Sequence, residues 1–315
     1  MKQAASTVFV VRPARFGFNA ETALSNHFQQ APADLSAAAA EARAVAEFDA
    51  LVETLRGRGV QVRVFDDTPA PAKPDAVFPN NWLSLHADGH AVLYPLCAPS
   101  RRPERRPDIV AALGQEFRIT EVLDWSGAEA EGRFLEGTGS IIFDHEHRRA
   151  YAGRSARTEP ALLADICARL GYQPVLFRSV DARGQEIYHT NVMLSIGPGF
   201  AVACLESIAD AAERRAVEDS LRETGHEIVP ISLVQVACFA GNMLALQPAG
   251  GPVLLAMSQR AHDSLTARQR QQLSRHAELL PLPIPTIETL GGGSVRCMLA
   301  EVFLPELLGV ATGQI

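Results

Sequence analysis

At 315 residues, 47% hydrophobic and 21% charged, with a net charge of −7, the chain can bury a sizeable core and has an ordinary globular composition. Its acidic balance argues against a nucleic-acid partner, whose phosphates require a basic face; the one basic cluster, Arg101-Arg102-Pro103-Glu104-Arg105-Arg106, reads as a solvated loop. No apolar stretch approaches the ~18–20 residues of a membrane span and no signal-like region follows Met1, so a cytoplasmic protein with no membrane partner is expected.

In chain order, Thr7-Val8-Phe9-Val10-Val11 predicts a buried strand that Pro13 ends by removing a ladder donor. Asp34 is placed to cap a helix running to about Arg56, with Ala44, Phe48, Leu51, Val52 and Leu55 on one face and Gly57 and Gly59 beyond its end. Val60 to Phe65 alternates as a strand, and Ala76-Val77-Phe78 with Trp82 to Leu85 supplies another. Pro107 to Leu113 predicts a helix and Phe117 to Trp125 a strand. Ser140 to Phe143 and Ala150 to Gly153 form a hairpin, followed by a helix over Glu159 to Leu170 and a strand at Val175 to Phe177. Strands at Tyr188 to Ile196 and Phe200 to Leu205, a helix from Ile208 to Glu223 and a strand at Ile228 to Ile231 repeat the order. The chain ends with a hairpin over Met243 to Met257, a helix over Leu265 to Leu279, and the stretch Gly291-Gly292-Gly293 before Cys297.

An internal period underlies this order. The segments Pro79-Asn80-Asn81-Trp82-Leu83, Gly137-Thr138-Gly139-Ser140-Ile141, His189-Thr190-Asn191-Val192-Met193, Ala240-Gly241-Asn242-Met243-Leu244 and Val295-Arg296-Cys297-Met298-Leu299 align. Their third positions lie 58, 52, 51 and 55 residues apart. A period near fifty with strand–strand–helix–strand content points to modules closed into a ring, which leaves no exposed sheet edges, and the N-terminal strand completes a set of five. The whole chain, 1–315, is expected to be one α/β domain of this kind. Asn81, Gly139, Asn191, Asn242 and Cys297 should then surround a common axial pocket.

Cys297 stands where a flexible glycine loop meets a rigid element, a placement that suits a thiol nucleophile, and Arg296 beside it is expected to favour the thiolate. The five cysteines (Cys97, Cys167, Cys204, Cys238, Cys297) are scattered without C-x-x-C spacing, so reduced thiols are expected rather than a zinc site or redox pair. Cys204 and Cys238, in apolar surroundings, should be inert. His145-Glu146-His147 alternates between strand faces, and Asp144-His145-Glu146-His147 reads as a polar hairpin tip rather than a metal site. The glycines precede no Gly-Lys-Ser/Thr, and no helix is expected there, which argues against nucleotide binding. No cofactor and no metal are expected.

With these residues in hand, the chain resembles the guanidino-group-modifying enzymes: arginine deiminase, dimethylarginine dimethylaminohydrolase, the amidinotransferases and a bacterial group that hydrolyses citrulline. Phe78-Pro79-Asn80-Asn81-Trp82, Phe134-Leu135-Glu136-Gly137-Thr138-Gly139-Ser140, Tyr188-His189-Thr190-Asn191-Val192-Met193 and the glycine–cysteine stretch carry the likeness, in the family's order and closest to the citrulline-hydrolysing group. The resemblance implies a five-bladed α/β propeller (pentein), with Cys297 as nucleophile and His189 as general acid and base, suited by an unperturbed pKa of ~6.5. It implies that Glu136 holds the substrate nitrogens or orients His189, that Asp75 binds a guanidinium or amino group, and that Arg101 and Arg157 bind a substrate carboxylate. Asn80 and Asn81 depart from the acids of arginine-hydrolysing relatives, and neutral amides suit a neutral ureido group. Citrulline hydrolysis to ornithine, ammonia and carbon dioxide is therefore the expected reaction, with arginine or methylarginine hydrolysis, amidino transfer and a non-catalytic amino-acid-binding propeller as alternatives. The expected partner is a small ureido or guanidino amino acid; a homo-oligomer is compatible with the sequence.

Overall fold

Thr7–Arg12 forms a strand buried along nearly all its length, as its run of β-branched and aromatic side chains dictates. It runs parallel to Gln61–Asp66 and antiparallel to Ala300–Glu301, so a strand from near the start of the chain is held between neighbours from both directions. The computed structural model describes residues 2–31 and 35–307. The same three-stranded arrangement recurs in four further sheets.

These blades comprise Leu83–Leu85, His90–Leu93 and Glu121–Asp124; Ile141–Asp144, Arg149–Gly153 and Gln173–Phe177; Leu194–Gly197, Phe200–Ala203 and Glu227–Pro230; and Leu244–Leu246, Leu254–Ser258 and Glu278–Leu282. In each, the first two strands form an antiparallel hairpin and the third returns parallel to the second. A parallel return needs a long crossover, supplied by helices Pro107–Glu116, Pro160–Leu170 and Ala211–Glu223, the pair Gln259–Ser264 and Ala267–Leu273, and Ala37–Gly57 in the closing blade. This is the five-bladed α/β propeller that the repeat implied. Among the described residues no helix is long and apolar enough to cross a membrane.

Several boundaries differ from the sequence reading for identifiable reasons. The long helix starts at Ala37, where the Ser36 hydroxyl accepts from the Ala39 N–H; Asp34 lies outside the described residues. Strand His90–Leu93 went unread although Asp88-Gly89 marks its turn, and residues 76–78 are a turn instead. The helix expected over 265–279 is interrupted, Thr266 and Gln269 forming a capping box that starts a new helix, and Glu278–Leu282 is a strand.

The repeat motifs themselves are not strands. Pro79–Asn81, Gly137–Ser140, Thr190–Val192 and Val295–Met298 are single helical turns placed immediately before the first strand of a blade. At the axis neighbouring backbones crowd one another, and a compact turn fits where an extended strand would collide.

Among the described residues the buried hydrophobic side chains form four clusters. On Ala37–Gly57, residues Ala40, Ala44, Phe48, Leu51, Val52 and Leu55 form the buried face. Phe48 is 1% exposed and packs in the cluster that also contains Cys297 and Met298. Phe48→Ala is expected to reduce the unfolding free energy by about 3–5 kcal/mol, the cost of an unfilled aromatic cavity, as read by denaturant titration.

Candidate active site

The five aligned motifs bring their third residues together. The Cys297 sulfur lies 3.3 Å from the Asn191 Nδ2 and 3.3 Å from the Asn242 Nδ2, so two amide donors face it. Asn242 is itself fixed: its Oδ1 accepts from the Arg296 N–H at 3.0 Å and its Nδ2 also donates to the Asn191 carbonyl at 3.0 Å. Gly139 occupies the fourth side for a steric reason. A Cβ there would stand 2.5 Å from the Asn81 Nδ2 and 2.7 Å from the His189 Nδ1, so any larger residue would displace the imidazole.

The glycine stretch works differently from the expectation. Gly291 ends helix Pro285–Gly291, and Gly292 caps it at φ +62° with its N–H donating to the Glu288 carbonyl, not to a ligand. Its carbonyl accepts from the Tyr188 hydroxyl at 2.6 Å and the Asn26 amide at 3.1 Å. A helical turn, Val295–Met298, does open after it and carries Cys297. Arg296 does not attend the thiol: its guanidinium donates to the Leu299 carbonyl and the Glu301 carboxylate, each at 3.0 Å.

Glu136 is completely buried behind His189. Its Oε2 accepts from the His189 Nε2 at 2.8 Å and the Arg157 Nη1 at 3.3 Å, and its Oε1 from the Cys97 N–H at 3.0 Å. Burial alone would raise its pKa, but Arg157, the His189 hydrogen bond and Arg101 hold it well below the usual carboxylate range. Of the two partners the resemblance implies for Glu136, the contact present is the one to His189. Burial pushes that imidazole down to about 4, against the opposing pull of Glu136, and leaves it neutral near pH 7.

Asp75, Asn81, Arg101, Arg157, His189 and Cys297 all line one cavity, together with Tyr188 and Phe78. Asn80 does not line it; its Oδ1 accepts from the Asn81 amide at 3.0 Å and it packs behind its neighbour. Arg101 is held by Glu104 through Nε and Nη2, at 2.9 and 2.8 Å, and donates from Nη1 to Asn81 at 2.7 Å. Burial raises the pKa of Asp75, and Arg101 only partly offsets it. Glu104 is pushed up to about 7 for the same reason.

Sequence reasoning missed the cover of this cavity. The segment read as a polar loop contains helix Ala20–Ala23, capped by Asn19. Asn19 and Thr22 donate to the Asp75 Oδ2 at 2.7 and 3.2 Å, while Arg157 holds the Thr22 carbonyl at 3.0 Å and the Ser25 hydroxyl at 2.8 Å. The signal available was Asn19 before Ala20-Glu21, an N-cap without the apolar periodicity that marks a longer helix. Cys204, as expected, is buried, and its thiol is pushed up to about 11.

Among solved structures, ArgZ, an arginine dihydrolase from the ornithine-ammonia cycle in cyanobacteria, superposes with a TM-score of 0.73 at 21% identity over 96% of this chain and 42% of ArgZ. The chain thus spans about two fifths of full-length ArgZ. The N-terminal domain of ArgZ, bound to product, is covered over 99% of its length at 21% identity, with a TM-score of 0.72 over 95% of this chain. A dimethylarginine dimethylaminohydrolase adduct with S-methyl-L-thiocitrulline matches with a TM-score of 0.64 at 18% identity, over 94% of this chain and 99% of the other. No curated protein sequence matches significantly. The match of residues 12–304 to a family model places the chain in the pentein superfamily of guanidino-modifying enzymes, whose fold these neighbours share. Within it, the chain belongs to the family described as N,N dimethylarginine dimethylhydrolase, eukaryotic, which matches residues 12–304.

The site makes a pH prediction. In the unfolded chain His189 titrates near its ordinary 6.5, so the unfolded state takes up the proton first. The stability this residue contributes is complete above that pH and declines as pH falls toward 4. An NMR titration should keep the His189 ring neutral down to about pH 5; a midpoint near 6.5 would contradict its burial.

Proposed function

We propose that this protein is a thiol-dependent hydrolase that removes nitrogen from the terminal carbon of L-arginine. The observation that carries the reading is the unpaired Asp75 Oδ1, a buried oxygen without a hydrogen-bond partner in the wall of the cavity. Asp75, Glu104 and Glu136 are buried against only Arg101 and Arg157, so the surroundings have one carboxylate more than they have guanidinium groups. Burial raises the pKa of Asp75 and Glu104, and the guanidinium of arginine would offset the cost of ionising Asp75, whereas citrulline, with a neutral side chain, would not.

The chemistry uses the residues in sequence. The Cys297 sulfur attacks the guanidinium carbon and forms a C–S bond as the thiol proton passes to His189; the C–N bond then breaks, and ammonia leaves with that proton. Water next attacks the covalent adduct while His189 accepts its proton, and C–S cleavage frees the thiolate and citrulline. Glu136 keeps the imidazole in place throughout, and Arg157 with Arg101 is positioned for the substrate carboxylate.

A second reading keeps the ureido preference drawn from the asparagines. Asn81 faces the cavity and the amides of Asn191 and Asn242 face the sulfur, so neutral groups surround the reacting carbon. That lining tolerates a neutral ureido group, and the two readings join if one thiol acts twice, converting arginine to citrulline and citrulline to ornithine. ArgZ, whose N-terminal domain shares this fold, is described as an arginine dihydrolase.

Ammonia and ornithine release from L-arginine, L-citrulline, dimethylarginine and agmatine, measured in parallel, tests both readings. Arginine should be consumed, and Cys297→Ser should abolish turnover. Asp75→Asn should lower kcat/KM for arginine by about tenfold to a hundredfold, as loss of a charge-assisted hydrogen bond of ~1.5–3 kcal/mol implies. Turnover of citrulline alone would overturn the charge argument, and turnover of dimethylarginine alone would overturn both readings.

A further inference from the structure

The hairpin tip of the second blade contains more than a polar turn. Asp144 and His147 at this tip meet His226, which stands just before strand Glu227–Pro230 of the third blade. One ligand atom from each lies within 4.8 Å of the others. This cluster lies at the opposite end of strand Ile141–Asp144 from Gly139, away from the catalytic cavity. His145 takes no part in it: it is buried against Phe143 and Phe303, with its Nδ1 2.8 Å from the Tyr172 hydroxyl.

The hydrogen bonds fix which atoms face the centre. The Thr224 hydroxyl donates to the Ser220 and Leu221 carbonyls, at 3.1 and 3.0 Å, so its oxygen is left to accept from the His226 Nδ1 at 2.8 Å. His226 therefore carries its proton on Nδ1. Its Nε2 lone pair then points toward the Asp144 Oδ2 at 3.9 Å, too far for a hydrogen bond. Two electron pairs face each other inside the protein. Asp144 is completely buried; the His147 Nδ1 lies 3.0 Å from both carboxylate oxygens, and the His147 N–H donates to its Oδ1 at 3.0 Å.

A buried carboxylate and an inward imidazole lone pair are the surroundings of a cation. We propose that Asp144, His147 and His226 bind a transition-metal dication of the Zn²⁺ type, which pins the hairpin of the second blade to the third. Two imidazoles and one carboxylate suit Zn²⁺ rather than Mg²⁺ or Ca²⁺, which take oxygen sets. With metal–ligand bonds of ~2.0–2.2 Å, ligand atoms stand roughly 3.3–3.5 Å apart, so separations that now reach up to 4.8 Å must shorten by as much as ~1.5 Å to close the site. His147 would move its proton from Nδ1 to Nε2, where its 39% exposed side chain meets water. The same exposure gives the ion a route in and leaves room for a water as fourth ligand. The Thr224 hydrogen bond to Nδ1 is the outer contact that orients a metal-binding imidazole.

The test uses the full chain carrying Cys297→Ser, which removes the active-site thiol as a competing ligand, stripped of metal with a chelator. Titration with ZnCl₂ by calorimetry should give one ion per chain and a rise in Tm on loading. His147→Ala, at a partly exposed turn, should weaken binding roughly tenfold or more and abolish the Tm shift. His226→Gln should do the same, and the His147 variant decides the matter if that protein fails to fold. Co²⁺ loading should give visible absorption bands in the Cys297→Ser protein and none with His147→Ala added. Absence of binding once the thiol is removed, or unchanged affinity in His147→Ala, would overturn the proposal.

Discussion

The interaction on which the rest depends is the burial of the Glu136 carboxylate. A charge taken wholly out of water costs several kcal/mol unless it is paired and hydrogen-bonded. Here the Cys97 N–H, the His189 ring and the Arg157 guanidinium meet that demand. Each partner extends the constraint outward. His189 is fixed over the cavity beside Gly139, while Arg157 stacks on Tyr188, 5.0 Å from ring centre, and holds the 22–25 cover by its remaining donors. One satisfied charge thus couples the base, the cation that lines the pocket, and the segment that closes it.

The propeller architecture explains why these groups meet. Each blade contributes one motif to the axis, a helical turn in four of the five, so residues about fifty positions apart become neighbours. The backbone is repeated while the side chain is free to differ: amides at Asn81, Asn191 and Asn242, bare space at Gly139 and sulfur at Cys297. Symmetric scaffolding and asymmetric chemistry separate cleanly because each position is supported by its own blade.

Much of this was legible in the sequence because the repeat is a distance that can be counted. The ring, its closure by the N-terminal strand and the convergence of five positions follow from spacing, and the motifs marked Glu136 and His189. What could not be read were contacts made across the axis. Asn80 and Asn81 look alike in the chain, yet one faces the cavity and the other packs behind it. Arg296 adjoins Cys297 in sequence, but a helical turn sends neighbouring side chains in different directions, and its partner is Glu301. Glu104, unremarkable within a basic cluster, turns out to be the buried counter-ion of Arg101. The cover at 19–30 lacks periodicity, so only its contacts reveal it.

The closing blade has a consequence for how the protein comes into being. Its central strand, Thr7–Arg12, is made before the other four blades, but one of its two neighbours, Ala300–Glu301, follows Cys297 in the chain. The ring therefore stays open while the ribosome is still producing the fourth blade, and the Cys297 thiol arrives with the strand that shuts it. A nascent chain holds the imidazole, the arginines and the acids without the sulfur, so assembly of the scaffold precedes reactivity by the order of translation itself.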